Sequence, residues 1–265
     1  MDFASFGLSA PLLRALEGQA LTAPTPIQAQ AIPEALRGRD VMGLAQTGSG
    51  KTAAFGLPML DALLKEGRKV APRQVRGLVL APTRELARQI HDVLEGLARG
   101  THLKFALVTG GVGFTPQIEK LARGVAVLIA TPGRLLDLAD RRAVDLSTTR
   151  FLVLDEADQM LDMGFIHALR RISALLPRER QTMLFSATMP KDMEEVSRAY
   201  LTDPVRVQVN PPGQAVAKIE QSLHFVARAA KTEVLVELLD AHRDDRALVF
   251  GRTKHGSEKL ARQLE

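Results

Sequence analysis

One segment, Ala45-Gln46-Thr47-Gly48-Ser49-Gly50-Lys51-Thr52, constrains this chain more than any other. It fits the pattern G-x-x-x-x-G-K-[ST], with Ala45 where the first glycine is usual. The apolar run Val41-Leu44 precedes it and a helix-length stretch begins at Lys51. Strand, glycine-rich turn and helix in that order place a helix N-terminus where backbone N–H groups face an anion. Gly48 and Gly50 let the main chain curl around phosphate oxygens, Lys51 reaches the outer phosphates, and the Thr52 hydroxyl meets Mg²⁺.

A second segment supplies the complementary half. The apolar run Phe151-Leu152-Val153-Leu154 ends in Asp155-Glu156-Ala157-Asp158. Mg²⁺ takes oxygen ligands and keeps most of its waters, so Asp155 is enough to hold it, largely through water. Glu156 is then free to orient an attacking water. An Asp-Glu pair alone is equally at home on an exposed helix. Its place at the end of an apolar run, beside a phosphate loop, turns the reading toward nucleotide hydrolysis.

Further β-rich runs, Leu78-Leu80, Phe105-Val108, Val125-Ile129, Met183-Phe185 and Val205-Val209, alternate with helical stretches at 51–66, 84–97, 117–123 and 191–200. Such alternation predicts an α/β fold, a parallel sheet with helices on both faces. Ligands of open parallel sheets bind outside the carboxyl ends of the strands. Ala45, Pro82, Gly110, Thr131, Asp155 and Ser186, each just after a strand, are therefore expected to share one edge. The breaker-rich stretch Asn210-Pro211-Pro212-Gly213-Gln214 marks a linker over 210–218. It separates a domain over 1–209 from residues 219–265, where strands at 219–226 and 247–250 and a helix at 231–242 are expected. That remainder is too short for a complete α/β domain and reads as the start of one.

Composition narrows the partners. The net charge of +5 permits a polyanion without demanding one. Aromatics are 4%, with no Trp and Tyr200 the only Tyr, so contacts to a sugar-phosphate backbone fit better than a base-stacking platform. Zero Cys excludes disulfides and thiolate metal sites and suits a cytoplasmic setting. The six His are scattered and form no metal-ligand pair. No apolar run is long enough for a membrane span.

These segments together resemble the DEAD-box ATP-dependent RNA helicases of superfamily 2, of bacterial type, over residues 3 to about 255. The resemblance implies a RecA-like P-loop NTPase fold for 1–209 and the truncated start of a second RecA-like domain for 219–265. Pro24-Thr25-Pro26-Ile27-Gln28 resembles the family's Q motif, which implies adenine recognition by Thr25 and Gln28 with Phe3 packed on the base. Gln28 has the chemistry for it, one amide offering both donor and acceptor. Ala20-Leu21 stand where Gly-Phe is usual. Pro82-Thr83-Arg84-Glu85-Leu86-Ala87 resembles motif Ia, Gly110-Gly111 the GG motif, and Thr131-Pro132-Gly133-Arg134 motif Ib, which together grip RNA in the family. Strand-to-helix junctions at Thr83 and Thr131, with the guanidiniums of Arg84 and Arg134, suit phosphate. Ser186-Ala187-Thr188 resembles motif III, which couples nucleotide state to strand separation; its hydroxyls are expected on Asp158.

The resemblance implies ATP and ADP as ligands, Mg²⁺ with ATP as substrate, RNA as partner, and protein or ribonucleoprotein partners besides. The family's His-Arg-x-Gly-Arg-x-x-Arg segment, which carries its arginine finger, does not occur in this sequence. The chain is therefore expected to bind nucleotide and hydrolyse it poorly. A nucleotide-gated RNA clamp with little unwinding is the alternative that the same motifs allow.

Overall fold

The computed structural model describes residues 2–67, 69–189, 191–209, 220 and 222–264. The chain divides into two compact units, Met1–Gln214 and Ala215–Glu265.

The first unit is an α/β sandwich. Helices α1 (Ala10–Gly18) and α2 (Pro26–Leu36) precede β1 (Val41–Leu44), and α3 (Lys51–Glu66) follows it. Then come β2 (Val75–Leu80), α4 (Arg84–Leu97), β3 (Phe105–Val108), α5 (Phe114–Ala122), β4 (Val125–Ala130) and α6 (Pro132–Asp140). The unit continues with β5 (Phe151–Leu154), α7 (Ala157–Asp162), α8 (Ile166–Leu175), β6 (Gln181–Ser186), α9 (Lys191–Tyr200) and β7 (Val205–Gln208). Among the described residues the seven strands form one sheet in the order β3-β4-β2-β5-β6-β1-β7, every pairing parallel.

Central strands covered on both faces read as continuous apolar runs. Here β4 and β5 are buried along their whole length. One core layer packs α1–α4 against the sheet through residues such as Ile27, Phe55, Leu94 and Phe185. The other packs α6, α7, α8 and α9 through Leu135, Met160, Ile172 and Tyr200. Every strand expected within this unit forms, β2 and β6 starting earlier, β4 and β6 ending one residue later and β7 one residue sooner. Helices α1, α6, α7 and α8 add to the helical stretches foreseen from sequence. They are short, six to ten residues, too few turns for a periodic pattern to stand out beside loop sequence.

One long tie fixes the first layer. The buried Asp61 of α3 accepts from Ser9 N–H at 2.7 Å and Ser9 Oγ at 2.6 Å, and its other oxygen meets Lys65 Nζ at 2.6 Å. This pins the residue before α1 onto the helix that carries Lys51.

In the second unit a 3₁₀ turn (Arg228–Ala230) leads into α10 (Lys231–Asp240), and α11 (Lys254–Leu264) follows. The strands expected at 219–226 and 247–250 are a correction: Glu220, residues 222–226 and residues 247–250 carry no strand, while Ile219 and Gln221 lie outside the described residues. Backbone N–H and C=O groups stay in a ladder only with a partner strand beside them. Among the described residues, Phe225 at 92% exposed and Phe250 at 88% find neither a partner strand nor a covering layer. The expected linker, 210–218, lies outside the described residues; before it, Val209 N–H donates to Leu44 O at 3.1 Å.

Candidate active site and nucleic-acid interface

The seven parallel strands all end at one sheet edge, and the two signature segments meet there. The loop after β1 is begun by Ala45, whose N–H donates to Ser186 O at 3.0 Å. Gln46, Thr47 and Gly48 are exposed, and Gly50 is the residue before α3, with φ +92°. Only glycine fits at 50, for two reasons. The backbone is left-handed, and a Cβ would lie 2.5 Å from Gln28 Nε2 and 2.9 Å from Thr25 Oγ1.

Those two Q-motif side chains strap the loop. Thr25 Oγ1 donates to Ser49 O at 2.8 Å, and Gln28 Nε2 donates to Gly50 O at 3.0 Å. Gln28 Oε1 accepts from Thr25 N–H at 2.9 Å, which closes the start of α2. One amide hydrogen and one lone pair of Gln28 remain for another partner. Phe3 is 4% exposed and sits in the apolar core with its ring edge-on to Phe6. Its ring is therefore covered by protein.

Lys51, the first residue of α3, is 5% exposed, and its Nζ has no hydrogen-bond partner among the described residues. The nearest charge is Asp155 Oδ1 at 3.9 Å. Asp155 directly follows β5 and is 2% exposed. Burial pushes its carboxyl up to about 6, the Lys51 ammonium pulls against that, and the Glu156 and Asp158 charges add to the rise. Its Oδ1 also accepts from Glu156 N–H at 3.1 Å. Glu156 adopts φ +50°, which is rare for a side-chain-bearing residue, and its Oε1 accepts from Thr47 Oγ1 at 2.8 Å. The half-buried Thr52 stands next to Lys51 on the same first turn.

Asp158 meets motif III as expected through one residue and not the other. Its Oδ2 accepts from Thr188 N–H at 2.9 Å and Thr188 Oγ1 at 2.8 Å. Ser186 does not reach it: the fully buried hydroxyl donates to Thr188 O at 2.7 Å. As the last residue of a central strand, Ser186 points into the protein, where the nearest acceptor is that carbonyl.

Along the same edge lies a pocket of about 510 Å³ lined by Pro82, Thr83, Arg84, Gly110, Thr131 and Arg134, with Gly133 also on its wall. It unites all three stretches expected to grip RNA. Thr83 caps α4, its Oγ1 accepting from Leu86 N–H at 3.2 Å, and Thr131 precedes Pro132 at the start of α6. The Arg84 guanidinium lies across the glycine pair: a Cβ on Gly111, where φ is +79°, would stand 2.0 Å from it. Met163 and Phe165 also line this pocket. Nothing in their local sequence distinguished them from core residues, and only the fold of the turn after α7 brings them round.

Comparisons with known proteins agree with this geometry. The family described as DEAD/DEAH box helicase matches residues 25–196. The chain is 44% identical over 264 residues to the ATP-dependent rRNA helicase rrp3 of Emericella nidulans, covering 99% of this chain and 56% of that protein. It is 42% identical over 260 residues to the ATP-dependent rRNA helicase RRP3 of Yarrowia lipolytica, covering 98% and 53%. The chain thus spans about half the length of the curated relatives it matches. These relatives are fungal and lend no support to a bacterial type. Among solved structures, a DEAD box protein from the hyperthermophile Methanococcus jannaschii matches with a TM-score of 0.73 and 34% identity, over 100% of this chain and 70% of that one.

Proposed function

The chain belongs to the DEAD/DEAH box helicase family, and from that premise we propose that it serves an ATP-dependent RNA helicase, in which RNA-stimulated ATP hydrolysis drives local opening of short duplexes. One observation carries the reading. The Lys51 ammonium is buried, lacks a hydrogen-bond partner, and stands 3.9 Å from an equally buried carboxylate. Burying a cation costs several kcal/mol unless an anion completes it, and a nucleotide's outer phosphates would do so.

In this reading Lys51 neutralises the terminal phosphates, and Gly48, Ser49 and Gly50 cradle them with backbone N–H groups. Thr52 and Asp155 hold Mg²⁺, largely through its waters. That cation supplies charge neutralisation on the phosphates. The donor set fits: one hydroxyl and one carboxylate are what Mg²⁺ takes from protein when phosphates and water provide the rest. Among the described residues no group of three or more His, Asp or Glu could hold a metal unaided. Glu156 orients the attacking water, while Thr25 and Gln28 address adenine. The pocket between α4 and α6 takes the RNA backbone. The unit Ala215–Glu265 corresponds to the beginning of a second RecA-like domain.

Steady-state ATP hydrolysis by the chain with and without single-stranded RNA, beside nucleotide binding, tests the proposal. Lys51→Ala should abolish turnover and weaken Mg-nucleotide binding by roughly tenfold or more. A retained rate in that variant would sink the site assignment. Duplex displacement by a form containing both domains separates a helicase from a clamp that only holds RNA.

A further inference from the structure

Phe114 opens α5 just beyond the Gly110-Gly111 turn, and two guanidiniums rest on its ring. The Arg134 and Arg141 Cζ atoms each lie 4.2 Å from its centroid. Arg134 belongs to the first turn of α6, and Arg141 follows the last residue of that helix on the same side. Arg134 also donates from Nη1 to Val112 O at 2.7 Å, with Asp137 Oδ2 at 3.8 Å from its Nε. The turn is held from below by the buried Gln117, whose Nε2 donates to Thr109 O at 3.1 Å. Arg141 is exposed, and no carboxylate lies within ion-pair distance of it among the described residues.

Two cations gathered on one ring repel each other, and the ring's face offsets only part of that. An array of this kind favours a polyanion that meets both charges. Through Arg134 it adjoins the pocket that Arg84, Thr83 and Thr131 also line, where the first turns of α4 and α6 turn their N–H groups outward. We infer that Arg141 is a further phosphate-binding residue for single-stranded RNA and that Phe114 is a positioning residue, its ring setting both arginines along the track begun by Arg84. The inference rests on the RNA reading above and extends it to two residues outside the recognised motifs.

The test is anisotropy of a fluorescent oligouridylate with the 265-residue chain, Mg²⁺ and a non-hydrolysable ATP analogue, over a salt series. Arg141→Gln and Phe114→Leu should each weaken binding about 3- to 10-fold, and Arg141→Gln should flatten the log-log salt slope by about 0.7, the loss of one phosphate contact. Phe114→Tyr should restore affinity. Nucleotide affinity should stay unchanged in all three. NMR should find the Hδ protons of Arg134 and Arg141 shifted upfield by the ring, and back to ordinary positions in Phe114→Leu. Wild-type affinity and slope in Arg141→Gln would overturn the inference, even were the Phe114 variants to fold poorly. An affinity loss in Phe114→Leu without the NMR change would also overturn it, leaving that residue a packing role. Polyglutamate competing as well as RNA of equal charge would overturn it in favour of an acidic protein partner. RNA binding absent from the unaltered chain would sink the RNA reading itself.

Discussion

Thr47 donates its hydroxyl to the Glu156 carboxylate at 2.8 Å, joining the phosphate loop to the acidic segment across 109 residues. Glu156 holds a left-handed backbone that costs about 1–2 kcal/mol outside glycine. The Thr47 contact and the Asp155 carboxylate, which accepts the Glu156 N–H, are what hold it there. In the proposed reading the carboxylate is thereby aimed before substrate arrives. Thr47→Val should lower turnover about 10-fold in a hydrolysis assay, with nucleotide affinity little changed, whereas Thr47→Ser should recover most of it. Equal rates for Val and Ser would remove the hydroxyl from the account.

Gly50→Ala tests the crowding beneath the loop. The methyl group meets Gln28 Nε2 and Thr25 Oγ1 well inside contact distance, at a φ alanine avoids. Displacing both straps should cost about 1–3 kcal/mol in chemical denaturation and weaken nucleotide binding with it. Gly48→Ala, with open space around its Cβ, should cost less.

Asp155 makes a pH signature. Its carboxyl is raised to about 6 from 3.8, so the folded chain binds that proton more tightly than the unfolded chain does. The resulting stability is present in acid and is lost as pH rises through about 6, a cost of roughly 3 kcal/mol in the ionised state. Asp155→Asn should therefore melt higher than the unaltered chain at pH 7.5, with the gap closing toward pH 5, while hydrolysis is lost. A gap that widens in acid would mean that Lys51 stabilises the charged form outright.

Asp158 and Thr188 should couple. Both the N–H and the hydroxyl of Thr188 donate to one carboxylate oxygen. A double-mutant cycle of Asp158→Asn and Thr188→Ala in urea unfolding should return about 1–2 kcal/mol of interaction energy. Ser186→Ala should fall outside that cycle, because its hydroxyl serves the Thr188 carbonyl.

Much of the fold and of the loop–carboxylate site was legible in the sequence, because each part has a local cause. Glycines at 48 and 50 announce a phosphate loop, and uninterrupted apolar runs announce buried parallel strands ending at Ala45 and Asp155. What stayed hidden depends on tertiary geometry. Ser186 carries a hydroxyl in a motif of hydroxyls, but strand alternation turns it inward. Phe114 and Arg141 are separated by a strand and a helix, and only the return of α6 beside α5 brings them together. Phe225 and Phe250 sit in strand-like runs, yet a strand is a relation between two segments, and among the described residues these runs pair with none.

The short chain of bonds through Gln28 has a mechanical consequence. The same amide that ends the fraying of α2, by accepting from Thr25 N–H, also grips the carbonyl of Gly50. The first turn of α2 and the loop at the head of α3 therefore cannot loosen separately. Amide exchange at residues 25, 27–29 and 49–52 should report a single opening event, so whatever occupies the loop is felt as order in the first turn of the helix that grips it.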